Sequence, residues 1–292
     1  MTRQHHLTRM LTQTALGGLL CWLISLNLCQ AADEPALKSR SFLVIDETDS
    51  SVLLSKRADE AKPIASITKL MTSLVVSEAN PNWDELIEIT PEDGLGAKTV
   101  SSRLNPGTYL SRADLMHLAL MASENRAAHA LARAYPGGLE ACIRAMNAKA
   151  QALGMTHTHF EDPTGLSSDN VASSQDLAKL VLAASAVPII REYSTDQRYS
   201  VKVGRRSLEF HNTDALVRNP AWNIVVQKTG YIEEAGRCLV MQTVMAGRSV
   251  IIVLLDSTGK YTRVADAQRI RKWLETHILA QQTSTTLAAK HG

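Results

Sequence analysis

The 292-residue chain lacks the short signatures of metal, nucleotide or histidine-assisted catalysis. It has no H-E-x-x-H, no G-x-S-x-G, no C-x-x-C and no phosphate-binding P-loop. His157 and His159, in THTHF, alternate as in an extended segment and have no carboxylate or thiol at ligand spacing. They read as surface residues, so no metal and no cofactor is expected. His117 and His129 stand among apolar residues on helical segments and read as structural, which leaves a Ser-His-Asp triad without support. There is also no internal repeat, no long linker and no sign of a second domain.

Cysteine and net charge are both scarcer than the composition suggests. Residues 1–31 carry Arg3 and Arg9, an apolar run from about Ala15 to Leu28 and then small residues, the three-part pattern of a secretory signal cleaved near Ala31. Gly17, Gly18, Ser25 and Asn27 interrupt the run, which is short for a membrane span. Removing it lowers Lys+Arg from 31 to 29 against 29 Asp+Glu. A formally neutral chain gives no reason to expect nucleic acid or an anionic membrane as partner. Cys21 and Cys29 leave with the signal. Cys142 and Cys238 remain and read as small buried apolar residues, with a bridge permitted in an oxidising compartment.

What is present reads as one α/β (α+β) domain over residues 32–280. SFLVIDETDSSVLLSK, residues 41–56, is a hairpin. Residues 63–190 turn helical, with loops at NPNWDE, LNPGT, YPGG and EDPTGLSSDN. Three β runs after Trp222 with short links form an antiparallel meander, and residues 261–280 form a helix with one apolar face. The expected architecture is a five-stranded antiparallel sheet from both chain ends, packed against helices. Residues 281–292 are polar and read as a loose tail without a membrane-surface pattern, so no membrane anchor is expected in the mature chain.

The chemistry concentrates in PIASITKLMTSLVV, residues 63–76. Ile67, Leu70, Met71, Leu74 and Val75 form a buried helical stripe, which places Ser66 and Lys69 side by side one turn apart. A neutral amine there can take the hydroxyl proton, provided burial and a second cation bring Lys69 down by roughly three pKa units, about 4 kcal/mol. A lone S-x-x-K is weak, and a second occurs at Ser257–Lys260, in a turn. Two further elements follow in order: Ser123-Glu124-Asn125 and Lys228-Thr229-Gly230. A literal Ser168-Asp169-Asn170 also occurs, in a Ser/Asp/Asn cluster with the composition of a mobile loop. Ser123 instead closes a helix opened by the Ser111–Asp114 capping box, and is preferred for its rigidity.

With these elements the chain resembles the low-molecular-mass penicillin-binding proteins, closest to the D-alanyl-D-alanine endopeptidase type. The likeness runs over roughly residues 40–278 and includes RLNPGTYLSR, ALMASENRAA, AMNAKAQALGM, PTGLSS, KTGY and AGRCLVM. It implies Ser66 as acylated nucleophile, Lys69 as its base and Ser123 as proton relay to the leaving amine. Asn125 would orient Lys69 and the substrate. Lys228 would depress the pKa of Lys69 and attract a carboxylate that Thr229 binds, and Gly230 would let substrate lie along the strand. The backbone N–H groups of Ser66 and Tyr231 would form the oxyanion hole. The implied substrate is the crosslinked peptide of peptidoglycan in the periplasm, with β-lactams acylating the same serine. A carboxypeptidase, a serine β-lactamase and a non-catalytic penicillin-binding sensor are the other readings. No E-x-x-L-N string lies between Asn125 and Lys228, which disfavours the β-lactamase.

Overall fold

A computed structural model describes residues 34–94 and 102–290, with side chains to residue 276. The signal-peptide reading of residues 1–31 lies outside the described residues. In chain order the elements are β1 (Ser41–Asp46), β2 (Ser51–Lys56), β3 (Lys62–Pro63), α1 (Thr68–Glu78), β4 (Leu86–Glu88) and β5 (Tyr109–Ser111). Then come α2 (Arg112–Met121), α3 (Asn125–Arg133), α4 (Gly138–Ala152), β6 (Val171–Ala172), α5 (Ser174–Ser185) and α6 (Pro188–Thr195). The chain continues with β7 (Arg198–Val203), β8 (Arg206–His211), β9 (Asn223–Ile232), β10 (Gly236–Met245), β11 (Arg248–Ser257) and α7 (Thr262–Lys290).

The sheet has the order β2-β1-β11-β10-β9 and every neighbouring pair is antiparallel. It is the expected five-stranded sheet drawn from both chain ends. Its central strands are covered on both faces, which is why SVIIVLLD reads as an unbroken apolar run rather than an alternation. On β11, Ile251, Val253 and Leu255 enter the core shared with α1 to α6. Their neighbours Val250, Ile252 and Leu254 enter a second core with Ala267, Ile270 and Leu274 of α7. Each such side chain contributes roughly 1.5–3 kcal/mol of burial. β2 and β9 are the two edge strands, and β9 lies beside the start of α1.

Three features depart from the sequence reading. A basic hairpin, β7–β8, stands between the helical block and the meander, and two short ribbons, β3–β6 and β4–β5, lie within the block. α7 runs on through Lys290, across residues read as a loose tail, because nothing from Gln281 to Lys290 breaks a helix. Cys142 and Cys238 are buried as expected and both are free. Burial pushes their thiols up to about 12 and about 11. Among the described residues no helix is long and apolar enough to cross a membrane.

Candidate active site

Ser66 lies in a single 3-10 turn, Ala65–Ile67, that feeds directly into α1. The residue before it, Ala65, has φ +49°, a left-handed conformation that a side chain resists and that the surroundings must enforce. Two glycines allow those surroundings to close in. A Cβ on Gly165, itself at φ +82°, would stand 1.9 Å from the Ala65 carbonyl oxygen. A Cβ on Gly230 would stand 2.8 Å from the Ile64 oxygen and 3.1 Å from the Ser66 nitrogen. The turn bearing Ser66 is therefore clamped between the 161–170 loop and the free edge of β9, at separations only glycine permits.

One turn along α1, Lys69 is fully buried. Its Nζ lies 2.8 Å from Ser66 Oγ, 2.7 Å from Asn125 Oδ1 and 2.6 Å from the Thr164 carbonyl oxygen. Burial pushes this amine from its ordinary 10.5 down to about 7, against the opposing pull of the Asp162 and Glu124 carboxylates. A neutral amine has two N–H bonds and one lone pair. Asn125 Oδ1 and the Thr164 carbonyl can only accept, so they take the two N–H bonds. The lone pair is left facing Ser66, whose hydroxyl can donate into it.

Ser123 and Asn125 reach the same place from the α2–α3 junction. Ser123 does not close a helix: α2 ends at Met121, and Ser123 sits in the connecting kink at φ +59°. The capping box that starts α2 is as expected, with Ser111 Oγ accepting from Asp114 N at 3.0 Å. Glu124 caps α3 by accepting from Arg126 N, which fixes Asn125 as the first helical residue. Lys228, fully buried on β9, donates to Ser123 Oγ at 2.9 Å and to the Thr229 carbonyl at 2.9 Å. Thr229 Oγ1 lies 2.6 Å from Thr213 Oγ1.

The structure thus gathers Ser66, Lys69, Ser123, Asn125, Lys228, Thr229 and Gly230 at one edge of the sheet. Tyr231 follows on the same strand with an exposed ring stacked under Arg237. One expectation changes. Burial, not the charge of Lys228, sets the low pKa of Lys69. Lys228 is itself held well below its ordinary value by burial, and then by the charges of Lys69 and Arg263. Burial of both amines, and the charge of Lys69 acting on Lys228, favour removal of a proton from the pair.

The literal Ser168-Asp169-Asn170 forms no second candidate site, and its loop is not loose. Asn170 is fully buried, donates to the Thr68 hydroxyl and accepts from Glu161 N and Asp162 N. Asp162 accepts from the backbone of Thr164, Gly165 and Ser167. Sequence reasoning missed this role of Asp162, although Asp-Pro-Thr-Gly is turn chemistry. It also missed Thr213 and Arg263. Nε and Nη1 of Arg263, near the start of α7, are buried without a hydrogen-bond partner among the described residues, and its charge reaches Lys228. Nothing in the local sequence separates it from other cations of α7, Arg269, Arg271 and Lys272. His117 and His129 are structural: the first is stacked between Tyr193 and Tyr199, the second bonds Asp93 at 2.8 Å.

Residues 29–259 match the Peptidase_S11 family, described as D-alanyl-D-alanine carboxypeptidase. The chain belongs to this family. It is a serine-type D-Ala-D-Ala peptidase of the penicillin-binding protein class. A D-alanyl-D-alanine endopeptidase of Pseudomonas aeruginosa is 46% identical over 256 residues, covering 87% of this chain and 82% of that one. A D-alanyl-D-alanine endopeptidase of Escherichia coli K12 is 44% identical over 247 residues, covering 84% and 80%. Among solved structures, the Streptomyces K15 DD-transpeptidase superposes with a TM-score of 0.77 at 26% identity, covering 82% of this chain and 98% of that one.

Proposed function

We propose that this chain is an exported endopeptidase that cleaves D-alanyl crosslinks of peptidoglycan in the periplasm through an acyl-enzyme on Ser66, and that penicillins acylate the same oxygen. The observation that carries this is the Lys69 amine, held dry by two obligate acceptors with its remaining valence turned to Ser66 Oγ.

In this reading Lys69 accepts the Ser66 proton as the oxygen attacks the D-alanyl carbonyl. The backbone N–H groups of Ser66 and Tyr231 receive the developing oxyanion, where losing one donor costs ~10²–10³ in rate. The departing amine takes its proton through Ser123, whose hydroxyl is already tied to Lys228. Lys228 and Thr229 hold a substrate carboxylate beside the bond, and Arg263, with unmatched buried N–H groups, adds charge to that corner. Water then releases the acyl group. The family description names a carboxypeptidase, whereas two relatives above 40% identity are named endopeptidases, which favours crosslink cleavage.

Digestion of purified sacculi, with chromatography of the products, tests this directly. Crosslinked dimers are expected to disappear. Loss only of terminal D-Ala from pentapeptide monomers would make the chain a carboxypeptidase. Fluorescent penicillin is expected to label the protein covalently and to leave Ser66→Ala unlabelled; a labelled variant would place the nucleophile elsewhere.

A further inference from the structure

A mature chain with no net charge still carries one strongly basic element. In Arg198–Arg206, RYSVKVGRR, four cations and no acid occur in nine residues. They lie on the β7–β8 hairpin, whose register pairs Arg198 with His211, Ser200 with Glu209 and Lys202 with Ser207. Tyr199, Val201 and Phe210 turn inward to the core, and the Tyr199 hydroxyl donates to Asp114 at 2.6 Å. Arg198, Lys202, Arg205 and Arg206 are exposed. Among the described residues none of the four has a hydrogen-bonded or ion-paired acid. Glu209, the acid on the same ribbon, faces His211 at 3.4 Å.

The ribbon is also rigidly joined to the site. The backbone N–H of Asn212 closes its base by donating to the Gln197 carbonyl, and its buried carboxamide donates to Ser194 and Asp196 carbonyls. The next residue is Thr213, whose hydroxyl meets Thr229. Six residues of strand reach about 20 Å, so unpaired cations extend from the margin of the catalytic groove to the hairpin tip. Unpaired surface charge of one sign attracts a polymer of the other sign and raises its local concentration.

We propose that the β7–β8 hairpin is a docking surface for the carboxylate-bearing peptide stems of peptidoglycan, holding the polymer beside the groove independently of the stem being cleaved. The choice of polymer rests on the function proposed above; the existence of an anion-binding ribbon does not. Contacts of this kind are exposed, and four pairs each worth a little under a factor of about two multiply to about tenfold.

The test uses the mature protein with Ser66 blocked by penicillin, so that the catalytic groove does not contribute, and measures co-sedimentation with purified sacculi. At low salt the variant Arg198→Gln/Lys202→Gln/Arg205→Gln/Arg206→Gln is expected to bind about tenfold more weakly than the unaltered protein. At about 0.5 M salt, where exposed charges are screened within several ångströms, the two are expected to converge. A variant exchanging each Arg for Lys and Lys202 for Arg is expected to keep binding, and penicillin labelling of every variant checks the fold. Equal pelleting of the Gln variant at low salt would overturn the proposal. So would partition of the unaltered protein onto phosphatidylglycerol vesicles without binding to sacculi. Dimer cleavage by unblocked protein is scored separately: its absence would sink the endopeptidase reading and leave the binding result standing.

Discussion

In the proposed mechanism Lys69 is the residue on which the chemistry turns, and its environment fixes the direction of two pH effects. With an amine pKa of about 7, the neutral form needed to accept the Ser66 proton grows as pH rises through 7. Penicillin acylation is therefore expected to climb between about pH 6 and 8 and then level off, measured by stopped-flow or quenched labelling; a rate flat across that range would argue for another base. Replacing the amine, Lys69→Ala, is expected to slow acylation by about 10²–10⁴, the usual worth of a general base. Stability follows the same proton. The folded amine titrates near 7 and the unfolded one near 10.5. Between those values the unfolded chain binds more proton, so the cost of burying this amine is full below pH 7 and is relieved as pH rises. Unfolding midpoints compared at pH 7 and 9 are expected to rise more for the unaltered protein than for Lys69→Met.

At the scale of elements, the turn bearing Ser66 is held on one side by the edge strand β9 and on the other by a loop that no helix or strand contains. The loop from Glu161 to Asn170 is knotted by Asp162 and Asn170, presents the Thr164 carbonyl to Lys69, and brings Gly165 against Ala65. Gly165→Ala would need both a left-handed backbone and the space filled by the Ala65 oxygen. It is expected to destabilise by about 3 kcal/mol or more and to lose acylation in whatever remains folded; normal labelling and an unchanged melting curve would contradict this. The pieces that hold the turn were the hardest to read in the sequence. Ser66 and Lys69 were legible because the stripe Ile67, Leu70, Met71, Leu74 and Val75 fixes the helix phase. The composition of the 168–170 loop does not reveal its order, because Ser, Asp, Asn and Gly look alike in flexible and in tightly hydrogen-bonded turns. The alternation of Tyr199, Val201 and Val203 before Gly204-Arg205 could have revealed the β7–β8 hairpin, since it is the period-two signal of a half-buried strand. Arg263 had no such signal: its Nε and Nη1 are buried, and the charges acting on it, Arg237 and Asp214, lie far away in sequence.

Across the whole molecule, the sheet joins strands from early and late in the chain, with β1 paired along its length with β11. That much was readable, since the central strands are continuous apolar runs and the links in the meander are short. What the sequence did not reveal is the polar lock beneath it. Asp266, fully buried on α7, accepts from the backbone of Lys38 and Ser39, from the Ser39 hydroxyl at 2.7 Å and from Arg269 at 2.6 Å. Ser39 in turn meets Ser257 at the end of β11 at 2.7 Å. One carboxylate therefore fastens the entry to β1, the exit of β11 and the first turns of α7, elements more than 200 positions apart in the chain. Asp266→Ala leaves several buried donors without an acceptor, each costing about 1–3 kcal/mol when unmatched, though relaxation and water near Arg269 reduce the sum. A loss of about 2–4 kcal/mol, or roughly 5–10 °C in melting temperature for a domain of this size, is the expected outcome by calorimetry. Because Asp266 touches none of the groups around Ser66, the folded fraction is expected to react with penicillin at the unaltered rate. A large fall in that rate without a fall in melting temperature would mean that the lock acts on the catalytic edge rather than on the joining of these strands.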